Sequence, residues 1–175
     1  SSDLKTKTSS SPDAGTQFED ERAAAQREID TLRGQGIEHI VLMSHIGYRN
    51  DLKLVPQLHG VDAVIGGDSH TLLGSGFADL GLAPAGEYPS IAHNADGKLT
   101  CIAQAWQYTW VVGQLDVRFD ANGDVQQCGG MPHLLFGGLK DGSESSALLD
   151  KLLQHPYVLK VEPEPKAQHV LSVYE

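Results

Sequence analysis

A chain of 175 residues, 40% hydrophobic and 21% charged, carries enough apolar material for one substantial core and reads as an ordinary globular domain. Its net charge of -10 excludes a nucleic-acid backbone as partner, because that binding rests on clustered Lys and Arg that release counterions. No apolar run approaches the roughly 20 residues that span a bilayer, and no signal peptide is recognisable, although the polar opening SSDLKTKTSSSPDAG reads as the middle of something longer.

Residues 1–15 carry no periodicity and are expected to be a loop or a strand remnant. A helix is expected from Thr16, where Thr16 and Glu19 have capping-box spacing. Phe18, Ala25, Ile29 and Leu32 recur down one face, and Gly34 and Gly36 stop the helix. The stretch HIVLMSHIG, residues 39–47, is an apolar strand that runs into Ser44, His45 and Gly47. A short helix over 50–59 follows, capped by Asn50 or Asp51, with Pro56 tolerable only in its first turn. Then comes VDAVIGGDSHT, residues 61–71, a second buried strand ending in two glycines, Asp68 and His70. Strand, helix, strand makes a right-handed crossover with parallel strands, and ligands of open α/β sheets bind at the carboxyl ends of such strands.

Residues 72–89 hold too many breakers for a regular element and are expected to form a long loop beside that strand end. Beyond them the period changes to two, giving strands over 90–94, 99–106, 111–119 and 125–128, read as an antiparallel meander. In that register Cys101 and Cys128 face the middle strand from opposite sides, about 9 to 10 Å apart, beyond disulfide reach. A strong bend at Gly129 would defeat this, so the sequence leaves open whether the two cysteines are bridged. Residues 143–154 form a second amphipathic helix, with Leu148, Leu149, Leu152 and Leu153 inward and Pro156 closing it. The remainder, with two Glu-Pro pairs, reads as a linker.

Three residues carry the chemistry. His45, Asp68 and His70 combine imidazole and carboxylate, a donor set that suits Mn, Zn or Fe. Taken singly, an Asp after two glycines closes a turn and a His at a strand end is merely hydrogen-bonded. Two strand ends delivering such residues to one crevice point to a metal site. The other histidines read as structural: His39, His59, His93, His155 and His169 lie before a strand, near helix ends, by a turn or in the linker, and His133 follows Pro132 on a strand-like segment, with lining of the domain interface as its alternative. Trp106, Tyr108 and Trp110 flank a turn and read as packing residues rather than a base-stacking platform.

The segment SHIGYRNDLKLVPQLHGVDAVIGGDSHTLLG resembles the second half of the catalytic domain of the 5'-nucleotidase family, within the calcineurin-like metallophosphoesterases. NADGK, QAWQY, VVGQLDVRFDANGDV and CGGMPHLL are similar to the strands that close that domain. The branch most resembled is the bacterial one that includes the NAD nucleotidases. The resemblance implies an α/β fold, part of a metallophosphoesterase sandwich, in which a parallel strand-helix-strand unit precedes the antiparallel meander. It divides the chain into a leading remnant over 1–15, the second half of the catalytic domain over 16–142, and over 143–175 a helix and the start of a linker to a C-terminal substrate domain.

The resemblance also implies two divalent metal ions (Mn, Zn, Mg or Fe), with His45 as one ligand and the family's Gly-His-x-His or Gly-His-x-Asn motif, here Gly67 to His70, supplying two more. Asp68 stands where His is usual, which adds an oxygen donor and favours Mn or Mg over Zn. The family's upstream Asp-x-His and Gly-Asn-His-Asp/Glu motifs, which carry most ligands and the catalytic His-Asp pair, have no counterpart ahead of His45. The resemblance therefore implies part of an active site, a nucleotide as substrate, a periplasmic or extracellular location, and an upstream half and a C-terminal domain as partners. Without them the chain is expected to be inactive and to self-associate. The competing reading is a folded module with no catalytic role; a serine esterase built on Gly67, Asp68 and Ser69 lacks a completing Asp-x-x-His.

Overall fold

The computed structural model describes residues 15–138 and 147–172. Expectations for residues 1–14 and 143–146 lie outside these. The first helix, α1, spans Glu21–Gly34 rather than opening at Thr16. Asp20 is its N-cap, and the carboxylate accepts a hydrogen bond from the Ala23 N–H at 2.9 Å. Asp caps more strongly than Thr, and the alanine run behind it sustains the helix. Of the expected apolar face only Ile29 is fully buried; Ala25 packs beside it, while Phe18 and Leu32 reach solvent.

Strands β1 (Val41–Met43) and β2 (Ala63–Ile65) are parallel, with Val41 opposite Ala63 and Met43 opposite Ile65. The connection between them is α2 (Tyr48–Leu54) and a 3-10 turn, Val55–Gln57. Gly47, at φ 90°, is the cap residue, in place of the expected Asn50 or Asp51. Pro56 is accommodated because the α-helix has already ended, so its missing N–H breaks no helical bond. After a loop that contains one 3-10 turn, Ser75–Leu80, come β3 (Ser90–His93) and β4 (Leu99–Ala103). The first sheet has the order β1-β2-β4-β3, with β2 and β4 parallel and β3 antiparallel to β4.

Strand alternation gives this sheet two different faces. Leu42, Val64 and Ile102 point to one side and join Ile29, Leu54, Val55 and Leu58 of the helical layer in one core. Ala63 and Cys101 point to the other, against Val125, Leu115 and Val117 of a second sheet. That sheet consists of β5 (Val111–Phe119), β6 (Val125–Phe136) and β7 (Val158–Lys160), in that order. The antiparallel strands expected after β2 are therefore present, but as two hairpins in stacked sheets.

This arrangement overturns the expectation for the cysteines. Cys101 and Cys128 form a disulfide, with their Cα atoms 5.5 Å apart. Strands β4 and β5 are not neighbours in one sheet, and β6 lies across the first sheet instead of two places along it. The bend is not at Gly129 but between β4 and β5, where Trp106, Tyr108 and Thr109 take left-handed backbone angles and turn the chain out of the first sheet. Helix α3 (Ala147–Leu153) occupies part of the expected amphipathic helix. The expected linker is likewise partly structured. Residues 158–160 run parallel to β6, with Leu134 opposite Val158. Glu164 then caps α4 (Pro165–Leu171), with proline in the first turn where its lost N–H costs nothing. No helix among the described residues is long and apolar enough to cross a membrane.

Candidate functional site

The carboxyl ends of β1 and β2 lie side by side, as the crossover requires. Beyond β1 the chain delivers Ser44 and His45; beyond β2 it delivers Gly66, Gly67 and Asp68. His45 Nε2 and Asp68 Oδ1 face each other at 3.9 Å, with side chains 71% and 49% exposed. Gly67 makes this possible: a Cβ there would stand 2.6 Å from His45 Nδ1, so only glycine leaves room for the imidazole. Asp68 and His70 both hold left-handed backbone conformations, φ 69° and 49°. Such conformations are uncommon outside glycine and cluster where a side chain must be aimed.

Ser69 ties the two strand ends together. Its hydroxyl accepts the Tyr48 N–H at 3.0 Å, shares a hydrogen bond with Thr71 Oγ1 at 2.8 Å and donates to Gln104 Oε1 at 3.2 Å. No histidine is among these partners, so Ser69 is placed as a brace rather than as an activated nucleophile. His70 meets the Tyr108 ring edge-on, with centroids 5.1 Å apart.

Beneath the rim is a feature the sequence reading missed. Asp51, expected as a helix cap, is buried; it accepts a hydrogen bond from the Ser44 hydroxyl, while its Oδ2 has no partner. Burial pushes its carboxyl above the ordinary range, against the opposing effect of the Ser44 bond. That Oδ2 lies 2.5 Å from where a Cβ on Gly66 would be. The signal was available: Asp51, Leu54, Val55 and Leu58 share the i, i+3, i+4, i+7 spacing of an inward stripe. Gln104, at the end of β4, is a second buried polar group, with Nε2 unpartnered.

Two donors each about 2.1 Å from one ion lie at most about 4.2 Å apart, so the 3.9 Å between His45 Nε2 and Asp68 Oδ1 fits one side of a metal site. The set is incomplete, because among the described residues no group of three or more His, Cys, Asp or Glu is placed to hold an ion. The structure thus brings two of the three expected ligands together, and His70 instead packs against Tyr108. His59 is elsewhere, with Nδ1 2.6 Å from Asp96 Oδ1, and His39 lies against Phe119.

No protein-family model matches the chain. It is 36% identical over 132 residues to a probable 5'-nucleotidase of Treponema pallidum, an alignment covering 75% of this chain and 22% of that protein. Among solved structures, the NAD nucleotidase of Haemophilus influenzae superimposes with a TM-score of 0.83 at 29% identity, covering 95% of this chain and 36% of the other. A 5'-nucleotidase precursor of Thermus thermophilus gives a TM-score of 0.66 at 43% identity over 70% of this chain and 24% of its own. The chain thus spans between about a fifth and about a third of the length of these relatives, and its mixed α/β architecture is theirs, as the resemblance implied. Sequence and fold together place the chain in the 5'-nucleotidase family.

Proposed function

We propose that this chain supplies the metal-holding second half of the catalytic domain of a nucleotidase that hydrolyses phosphate esters of 5'-nucleotides, with NAD or nucleotide-sugar pyrophosphates as further substrates. The observation that carries the reading is the His45–Asp68 pair, aimed at one point from the ends of adjacent parallel strands. His45 and Asp68 would hold one side of a divalent ion and His70 would contribute a further donor, the remaining donors of a two-ion site coming from an upstream half. The ions, when bound, supply positive charge toward the phosphoryl oxygens. An oxygen donor at Asp68 favours Mn or Mg over Zn.

This chain's own part is to orient. Gly67 admits the His45 ring, Ser69 locks the two strand ends in register, and the sheet fixes the direction of both donors. The incomplete donor set supports the expectation that the chain is inactive by itself and works with upstream and C-terminal segments. The disulfide between the sheets supports a periplasmic or extracellular location, because such bonds persist in oxidising compartments. The test is phosphate release from AMP by the full-length protein with Mn, Mg or Zn. Release is expected for the full-length protein and not for the isolated chain; absence of release with any ion would overturn the reading.

A further inference from the structure

Among the described residues four polar side chains are buried, Asp51, Asn94, Thr100 and Gln104, and they divide by the end of the first sheet they serve. Asn94 and Thr100 lie at the end where β2 begins. Both donate to the Val61 carbonyl, and Asn94 Oδ1 accepts the Asp96 and Lys98 N–H groups, so their bonds go to backbone and shape a turn and a strand. Asp51 and Gln104 lie at the opposite end, beneath the candidate site, and are 1% and 3% exposed. Neither is fully satisfied, since Asp51 Oδ2 and Gln104 Nε2 have no partner. A half-satisfied buried polar group costs free energy that an apolar side chain of the same shape would not, so its presence calls for a reason other than stability.

The bond that each residue does make supplies that reason. Asp51 accepts from the hydroxyl of Ser44, the neighbour of His45, and Gln104 Oε1 accepts from Ser69 at 3.2 Å, between Asp68 and His70. Ser44, Gly66 and Gln104 stand two positions beyond Leu42, Val64 and Ile102, so alternation turns all three toward the helical layer, from which Asp51 enters on α2. Gly66 leaves room for the carboxylate to reach from β1 to β2, with Oδ2 2.5 Å from where a Cβ would be. Gln104 adds the end of β4, the next strand of the sheet, and holds a loop in which Asp68 and His70 are both left-handed. Resting on the nucleotidase reading above, we propose that Asp51 and Gln104 are positioning residues for the metal site, a buried polar floor that acts through Ser44 on His45 and through Ser69 on Asp68 and His70. Neither is a donor itself. Their bonds fix the direction of the donors, as outer hydrogen bonds do for metal ligands generally.

The test uses the full-length protein with Mn as probe, reading free Mn by its electron paramagnetic resonance and stability by urea unfolding of the metal-free form. Asp51→Leu and Gln104→Met remove the hydrogen bond with little change of shape. Each should weaken Mn binding at least about tenfold while the metal-free urea midpoint stays at or above that of wild type. Asp51→Asn and Gln104→Glu, which keep the accepting oxygen, should bind Mn within about twofold of wild type. Adding Ser44→Ala to Asp51→Leu should weaken binding by less than about twofold more, because the two side chains act as one unit. Apolar variants that bind Mn as wild type does, a midpoint that falls in step with affinity, conservative variants as impaired as the apolar ones, or a Ser44→Ala effect that adds in full would each overturn the proposal and leave the nucleotidase reading standing. The expected pattern of Mn binding in a protein that releases no phosphate from AMP would keep the floor and remove that reading, and a wild type that binds no Mn would remove both.

Discussion

Replacing Cys101 and Cys128 by alanine should destabilise the protein substantially, and the size of the loss follows from the topology. The bond joins residues 27 apart in sequence, across two stacked sheets that share few other covalent constraints. Closing a loop of that length removes about 12 cal/mol/K of unfolded-chain entropy in the chain-entropy model, about 3.5 kcal/mol at 25 °C. Cys101 is wholly buried between Ala63 and Val125, so truncation also removes packing and does not soften the loss. For a domain with a urea slope of about 2 kcal/mol/M, the unfolding midpoint falls by about 1.7 M. The assay is urea unfolding of wild type, with and without a dithiol reductant, beside the Cys101→Ala/Cys128→Ala variant. Reduced wild type should approach the variant. A midpoint shift below about 0.5 M, or a wild type indifferent to reductant under conditions that break the bond, would show that the disulfide does not constrain the unfolded chain.

Other consequences follow from the same geometry. Gly67→Ala places a methyl 2.6 Å from His45 Nδ1; the exposed ring can swing aside, so stability should change by less than about 1 kcal/mol while divalent-metal affinity of the full-length protein falls sharply, and unchanged metal affinity would count against His45 as a ligand. Asp51 has its carboxyl raised by burial above the ordinary 3.8, so its contribution to stability is full below that pH and is lost as pH rises through its folded value. Asp51→Asn should therefore gain stability relative to wild type between acid and neutral pH; the opposite trend in paired urea titrations would show that the buried Oδ2 finds a partner. Strand β1 is a sheet edge whose Val41 and Met43 are 59% and 84% exposed, an association surface. The isolated chain should show concentration-dependent self-association in sedimentation that Met43→Lys suppresses, and a clean monomer over a wide concentration range would contradict this.

The parallel unit was legible because period and punctuation agree there: two short apolar runs, each ending in glycine and ligand-type residues, with a helical segment between them. The disulfide was not legible. Alternation shows which face a residue takes but not whether successive strands share a sheet, and the left-handed residues between β4 and β5 that separate the sheets are Trp, Tyr and Thr rather than the glycines that mark a turn. Asp51 was misread for a related reason. An acidic residue beside Asn50 looks like a cap, and only its spacing with Leu54, Val55 and Leu58 marks it as inward. The start of α1 shifted from Thr16 because Asp20 is the stronger cap, a local competition that spacing alone does not decide.

If the paired strand ends hold the catalytic metal, bound metal and AMP hydrolysis across a Mn titration of full-length variants will separate the donors from their neighbours. His45→Ala and His70→Ala should lose activity and stay impaired at saturating Mn, because added metal cannot restore a missing donor's geometry. Asp68→Asn, which keeps an oxygen donor and loses the charge, should be partly rescued, and His59→Ala, whose ring pairs with Asp96 away from the site, should resemble wild type. Full metal occupancy and rate in His45→Ala, His70→Ala and Asp68→Asn, or damage from His59→Ala equal to that from His70→Ala, would contradict the account.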